Sequence, residues 1–316
     1  ESVELLPFRL AIKAGVSAIM TAHVIFAAMD DAHPATQSRA VLDGLLRQRM
    51  GFDGLIITDA LDMSAATRNG EVEGVRAALE AGADLALLGH LPNQLAMIDA
   101  LAGVTNAAAI RRIDRARRAL PTELPSLDVV GCAEHWQIAQ EIADRSITLV
   151  VDNGRLPLRV TPDSTIAVVT IRPIDLTPAD TSSSVRPALA QAVEKRHSQV
   201  IAFEIPFQAS PDELHAVLEA TRSADTVIVG TISAPEDASQ AALVKALHGR
   251  GQSPIVVSMR TPYDISAFPM IETYVCAYSI RAVTCEAVAR VLFGEIAARG
   301  VLPCSISGIE ETGMLL

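Results

Sequence analysis

The sequence predicts a two-domain α/β protein, and three observations support this prediction. Its 316 residues are enough for about two domains of ~150 residues each. Short apolar runs alternate with amphipathic stretches along most of the chain, a pattern typical of strands and helices in turn. The segment 121–127 contains two prolines and has no clear periodicity. We place the boundary there and predict domains at residues 1–122 and 123–316.

The first domain is predicted to contain three strand–helix units, which implies a parallel sheet with right-handed crossovers. A closed (β/α)8 barrel needs eight such units and about 250 residues, so this domain is too short to close one. A separate three-stranded sheet would leave its edges poorly covered. The predicted strands are 16–20, 55–58 and 84–88, and the predicted helices are 38–50, 71–81, 93–101 and 106–120.

The second domain is predicted to be a complete doubly wound α/β domain, because strands and helices alternate along its whole length. The predicted strands are 147–151, 166–171, 200–205, 226–230, 255–258 and 273–277. The predicted helices are 132–146, 185–195, 211–223, 238–249 and 283–293.

Composition argues against several classes of function. The formal net charge of -11 argues against binding to nucleic acid or to an anionic membrane surface. No apolar run approaches the roughly 20 residues of a membrane span. The four cysteines are widely spaced, with no CxxC pair, and are interpreted as buried free thiols and not as metal ligands or disulfides. Oligomeric state and compartment stay open.

Residues 51–63 form the most informative stretch of the sequence. The short apolar run 55–57 is followed directly by Thr58 and Asp59, which indicates a buried strand that ends in a carboxylate. Catalytic groups of α/β barrels lie at the carboxyl ends of the strands. An aspartate in this position can be a nucleophile, a metal ligand or a helix N-cap, and position alone favours the cap.

The surrounding sequence motifs favour a nucleophile over a cap, because together they resemble those of glycoside hydrolase family 3. In the first domain the motifs are LPFR (6–9), MTAHV (20–24), GFDG (51–54), TDALDM (58–63) and AGAD (81–84). In the second they are RSITL (145–149), LPL (156–158), RTPYD (260–264) and LFGE (292–295). The motifs MTAHV and TDALDM resemble those of the β-N-acetylhexosaminidase branch of the family, although Ala60 stands where that branch usually has a second Asp.

The resemblance implies the closing βα units of a (β/α)8 barrel, followed by an α/β sandwich domain. It implies a retaining hydrolase for terminal β-linked N-acetylglucosamine in peptidoglycan or chitin-type fragments, with Asp59 as nucleophile and no metal or organic cofactor. His23 and Met63 become candidate substrate-binding residues. The structural alternatives are a histidine whose ring is hydrogen-bonded to backbone and a methionine packed in the core.

In that branch the proton donor is a histidine that follows a Lys-His-Phe-Pro-Gly-His-Gly motif. That motif lies upstream of the segment that this chain matches. This sequence contains no Lys-His pair and begins at Glu1 without an initiator Met. We therefore expect the chain to lack the first part of the barrel and to turn over β-N-acetylglucosaminides poorly. The alternatives are a non-catalytic interaction module and a family 3 β-glucosidase, the latter disfavoured because no Trp follows Asp59.

Three further interpretations concern charged residues in or near these motifs. Asp62 is expected to cap the following helix or to be solvated. Asp84 is expected to make a buried contact with backbone. The arginines of segment 111–118 are expected to form a solvated face paired with nearby acids.

Overall fold

A computed structural model describes residues 3–63, 66–67, 70–104, 106–177 and 180–306 of the protein. The chain divides into two compact units, Glu1–Pro125 and Ser126–Leu316. Both are built from α-helices and β-strands, so the α/β class is confirmed. No helix in the described ranges is long and apolar enough to cross a membrane.

The first unit is built around two short parallel strands. β1 (Ala18–Met20) pairs with β2 (Leu55–Ile57), and Ile19 lies opposite Ile56 in the register. Four α-helices accompany them among the described residues: α1 (Leu6–Lys13), α2 (Glu71–Ala81), α3 (Gln94–Ala100) and α4 (Ala107–Arg118). Because the strands are parallel, the residues that follow each of them lie at the same edge of the sheet.

The predicted strand at 84–88 is wrong as a full strand. It is reduced to one parallel bridge between Leu85 and Ile57. The ladder stops there because the Leu87 N–H donates to the Thr58 side-chain hydroxyl (2.9 Å) and not to a backbone carbonyl. The segment still runs beside β2, so β2 lies between β1 and residue 85.

The predicted helix at 38–50 is a helix of unusual winding. Ala40–Arg49 forms a π-helix, and it closes with the Met50 N–H donating to the Leu45 carbonyl (2.9 Å). Its inner face contributes Leu42 and Leu46 to a core shared with Phe52 and Ile56. The π winding was not predictable, because apolar spacing at i, i+3 and i+4 also fits an ordinary α-helix.

The second unit contains a six-stranded mixed sheet in the order β3-β8-β7-β6-β4-β5. The strands are β3 (Thr148–Asp152), β4 (Ile166–Ile171), β5 (Val200–Ile205), β6 (Thr226–Thr231), β7 (Ile255–Ser258) and β8 (Thr273–Cys276). Neighbouring strands from β8 to β5 are parallel, and β3 joins antiparallel at the edge.

Five described α-helices of 6 to 14 residues surround this sheet. They are α5 (Ala133–Ser146), α6 (Leu189–Glu194), α7 (Pro211–Ala220), α8 (Ala238–Gly249) and α9 (Ala282–Leu292). Helix α9 contacts α5 and α6, whereas α7 contacts α8. Strands β4, β6, β7 and β8 are buried along their whole length, which explains their largely apolar sequences.

Candidate active site

Asp59 lies two residues beyond the end of β2, at the carboxyl edge of the small parallel sheet. Its side chain is half-buried, and Oδ1 accepts a hydrogen bond from the Ala60 N–H (2.7 Å). Asp59 forms no ion pair with any residue in the described part of the chain. It does not cap a described helix, since α2 begins only at Glu71 after Gly70. Within the described ranges, no hydrogen bond is made to the second carboxylate oxygen, Oδ2.

The backbone around Asp59 is held by the segment that follows the single bridge. The Thr58 N–H donates to the Leu85 carbonyl (3.0 Å), and the Leu61 N–H donates to the Leu87 carbonyl (2.8 Å). Thr58 itself is fully buried, and its hydroxyl accepts from the Leu87 N–H. These bonds fix the turn on both sides of the carboxylate.

His23 lies two residues past the hydrogen bond in which the Thr21 N–H donates to the Ile57 carbonyl (2.9 Å). It is half-buried, with Nδ1 at 2.9 Å from the Thr36 hydroxyl and Nε2 at 3.0 Å from the Ala60 carbonyl oxygen. The structure therefore brings His23 to the residue next to Asp59. Both ring nitrogens are engaged within the protein, one of them by backbone.

Met63 is 49% exposed, so the alternative that it packs in the core is wrong. Its N–H lies 3.4 Å from the Ala60 carbonyl, which keeps it within the same turn as Asp59. An exposed thioether beside a carboxylate offers a flexible apolar surface for a ligand.

Asp62 has a different partner from the one expected. Its Oδ2 accepts from the His90 N–H (2.8 Å) and lies 3.2 Å from His90 Nδ1, so the helix-cap interpretation is wrong. These hydrogen bonds from the His90 backbone and ring hold the pKa of Asp62 below its ordinary value. Gly89 permits the contact, because a Cβ there would lie 2.6 Å from the Asp62 carboxylate. Asp62 is therefore occupied as an acceptor.

Asp84 is the buried ionic centre of the first unit. Its fully buried side chain accepts from Arg47 (2.5 Å), from Arg112 (2.6 and 2.9 Å) and from the Ile56 N–H (2.8 Å). The expected backbone contact is confirmed, but the solvated role expected for Arg112 is wrong. Arg112 lies one turn after the buried Ala109 on α4, and that spacing could have indicated an inward position.

The second unit contains a buried carboxylate, Asp264, which is the last residue of the RTPYD motif. It accepts from the Thr231 hydroxyl (2.6 Å) and from the Ala234 N–H (3.0 Å). Burial raises the pKa of Asp264 to about 6. Burial likewise raises the pKa of the free thiol Cys276 to about 12. Within the described ranges, no group of three or more His, Cys, Asp or Glu side chains is arranged to hold a metal ion.

Comparison with known proteins identifies relatives for both units. Residues 1–120 match the model of the glycosyl hydrolase family 3 N terminal domain. A beta-hexosaminidase of Thiobacillus denitrificans is 51% identical over 90 residues, which are 28% of this chain and 25% of that protein. Beta-hexosaminidase A of Pseudoalteromonas piscicida is 27% identical over 376 aligned residues, covering 96% of this chain and 60% of that protein.

A solved structure extends the likeness to the fold. The family 3 beta-N-acetylglucosaminidase from Paenibacillus sp. str. FPU-7 superposes with a TM-score of 0.82 at 32% sequence identity, over 95% of this chain and 60% of that one. The chain thus spans about 60% of the length of its two long matches. Residues 1–120 thus match the N-terminal domain of glycosyl hydrolase family 3, and over nearly its whole length the chain is similar to a solved member of that family.

Proposed function

We propose that the protein is a retaining glycoside hydrolase that releases terminal β-linked N-acetylglucosamine from peptidoglycan or chitin-type fragments. The observation that carries this proposal is the Asp59 carboxylate, which follows the parallel strand β2 and forms no ion pair with the described residues. The names of the Pseudoalteromonas and Paenibacillus relatives support the substrate class. In this proposal residues 1–122 are the closing units of a (β/α)8 barrel and residues 123–316 are an α/β sandwich domain.

The proposed reaction has two steps at Asp59. A carboxylate oxygen attacks the anomeric carbon while the bond from that carbon to the leaving oxygen breaks, and the leaving oxygen takes a proton from a general acid. Water then attacks the anomeric carbon, loses a proton and releases the carboxylate from the glycosyl ester. The Ala60 N–H, 2.7 Å from Oδ1, holds the carboxylate in one orientation and leaves the other oxygen for attack.

The remaining site residues are proposed to meet the sugar at the same edge. The exposed Met63 side chain would pack against an apolar face of the sugar ring. The ring edge of His23 would complete that wall, since its nitrogens already bond within the protein. The chemistry requires a carboxylate, a proton donor and water, and no metal or organic cofactor.

Proton donation sets a limit on what the 316 residues can do by themselves. They contain no Lys-His pair, and loss of a general acid typically costs about 10²–10⁴-fold in rate. Substrates with poor leaving groups should therefore turn over slowly with this chain. A leaving group that departs without a proton bypasses the deficit, which makes it the better probe of Asp59.

Covalent trapping tests the assignment. The chain is incubated with 5-fluoro-N-acetylglucosaminyl fluoride, whose fluoride departs unprotonated, and the product is mapped by peptide mass spectrometry. The label should lie on Asp59, disappear in Asp59→Asn, and persist in the matched control Asp62→Asn, since Asp62 is already bonded to His90.

The other outcomes separate the alternatives. Preferential labelling by the corresponding 5-fluoroglucosyl fluoride would indicate a β-glucosidase. No labelling by either sugar would indicate a non-catalytic interaction module, and labelling of another residue would overturn the assignment of Asp59.

A further inference from the structure

When the ring of His23 is neutral, it has only one hydrogen-bonding arrangement that fits its neighbours. A carbonyl oxygen accepts and never donates, so the nitrogen 3.0 Å from the Ala60 carbonyl, Nε2, must carry a hydrogen. In the neutral ring Nδ1 is then an acceptor, and the Thr36 hydroxyl at 2.9 Å donates to it. The Ala60 and Thr36 contacts together select the Nε2–H tautomer.

The Thr36 hydroxyl is itself oriented. Thr36 is fully buried, and its Oγ1 lies 2.8 Å from the Thr21 hydroxyl. Since Thr36 has one hydrogen and gives it to His23, Thr21 donates to Thr36. Thr21 is anchored in turn by its N–H bond to the Ile57 carbonyl (2.9 Å). A directed chain of hydrogen bonds therefore starts where β1 ends and reaches His23.

The far end of this chain is the backbone beside Asp59. Ala60 accepts from His23 through its carbonyl, and through its N–H it donates to Asp59 Oδ1 at 2.7 Å. One residue thus links the imidazole to the carboxylate. The Ala60 carbonyl lies in the peptide between Ala60 and Leu61, and the Ala60 N–H lies in the preceding peptide. If the His23 bond is lost, the Leu61 N–H bond to the Leu87 carbonyl alone holds the first of these peptides, and rotation about the Ala60 backbone can move the N–H away from the Asp59 oxygen.

We infer that His23 is a positioning residue for Asp59, acting through both ends of Ala60, and that it is not a hydrogen-bonding ligand of the sugar. This inference rests on the proposed function for its consequence in the reaction. Its geometry can be tested separately, because the tautomer of His23 is a property of the chain without substrate.

The first experiment is nitrogen-detected NMR of the full chain with ¹⁵N-labelled histidine. His23, assigned by its loss in His23→Gln, should carry its hydrogen on Nε2. In Thr36→Val the donor to Nδ1 is gone but the Ala60 carbonyl still requires a hydrogen on Nε2, so the tautomer should persist while the Nδ1 chemical shift moves; Thr36→Ser should keep both the tautomer and the shift. A hydrogen on Nδ1 in the unmodified chain would overturn the inference whatever the enzyme does.

The second experiment measures the rate at which 5-fluoro-N-acetylglucosaminyl fluoride labels Asp59. In His23→Leu the maximal rate should fall about 10²-fold, the size typical of a displaced reacting group, at little-changed half-saturating sugar concentration. In His23→Gln, whose amide can still donate to the Ala60 carbonyl, most of the rate should return. The control His33→Leu removes an exposed histidine whose side chain, among the described residues, pairs with Asp30, and it should change nothing.

The outcomes that contradict the inference are distinct from failure of the proposed function. A sugar ligand would show a raised half-saturating concentration in both His23 variants with an unchanged maximal rate. Thermal unfolding of each variant separates misfolding from mispositioning, and Thr36→Val supplies a second route if His23→Leu does not fold. Absence of labelling in the unmodified chain would overturn the proposed function, and the positioning role in that reaction falls with it.

Discussion

Asp264 should make the second unit less stable as pH rises from about 4 to 6. Its side chain is fully buried, and burial raises its pKa to about 6, against about 3.9 for an exposed aspartate. In that window the unfolded chain loses the proton while the folded unit keeps it. The unfolding free energy therefore falls as pH rises through this window. The stabilisation from protonated Asp264 is complete below pH 4, and the loss levels off above pH 6.

The size of the effect follows from the shift of about two pKa units. Each unit corresponds to about 1.4 kcal/mol, so ionised Asp264 costs the folded unit about 3 kcal/mol relative to the protonated form. Asp264→Asn imitates the protonated acid, because its amide can donate to the Thr231 hydroxyl while its oxygen still accepts from the Ala234 N–H. The variant should match the unmodified protein at pH 4 and exceed it by up to about 3 kcal/mol at pH 7.

Urea unfolding followed by intrinsic fluorescence measures this difference in the second unit alone. The single Trp of the chain, Trp136, and its three Tyr residues all lie after residue 125. Other carboxylates titrate equally in both proteins, so the difference between the two isolates Asp264. A difference that stays constant from pH 4 to 7, or a variant that is less stable at pH 7, would refute this account of the buried carboxylate.

Two further predictions concern the first unit, with circular dichroism at 222 nm as the measurement. Asp84→Asn should cost about 3–5 kcal/mol, because it removes the fully buried counter-charge of two largely buried guanidinium groups, whereas Asp53→Asn, which breaks an exposed pair, should leave stability nearly unchanged. Equal losses would contradict the buried-charge argument. Gly74→Ala should destabilise the unit although alanine favours helices, because the new Cβ would lie 2.3 Å from the Ala66 carbonyl; Gly44→Ala, with its nearest neighbour at 3.9 Å, should not.

The sequence predicts well where local pattern and burial agree. The strands Ile166–Ile171 and Val200–Ile205 and the helix Ala238–Gly249 have the predicted bounds, since apolar runs and caps act within a few residues. The turn at Asp59 was also visible, because a polar pair follows a short apolar strand. Nothing local announces that Thr58 would take the Leu87 N–H and end the neighbouring strand after one bridge.

Partners far apart in the chain were the harder part. Asp84 meets residues 37 positions before and 28 positions after it, and no periodicity encodes such a meeting. The same holds for His23 and Ala60, which are also 37 residues apart. A single sequence names the side chains available for a site, but three-dimensional packing decides which of them are already occupied.

The bond from the Ile56 amide to Asp84 has a consequence for how the first unit opens. On that side of β2 a neighbouring strand would ordinarily supply a carbonyl; here a carboxylate does, and the carboxylate is held by Arg47 and by Arg112 on α4. Undocking of α4 therefore loosens the acceptor of an amide more than fifty residues away. Hydrogen exchange at this one amide reports whether the last helix of the unit is closed, without any probe on the helix itself.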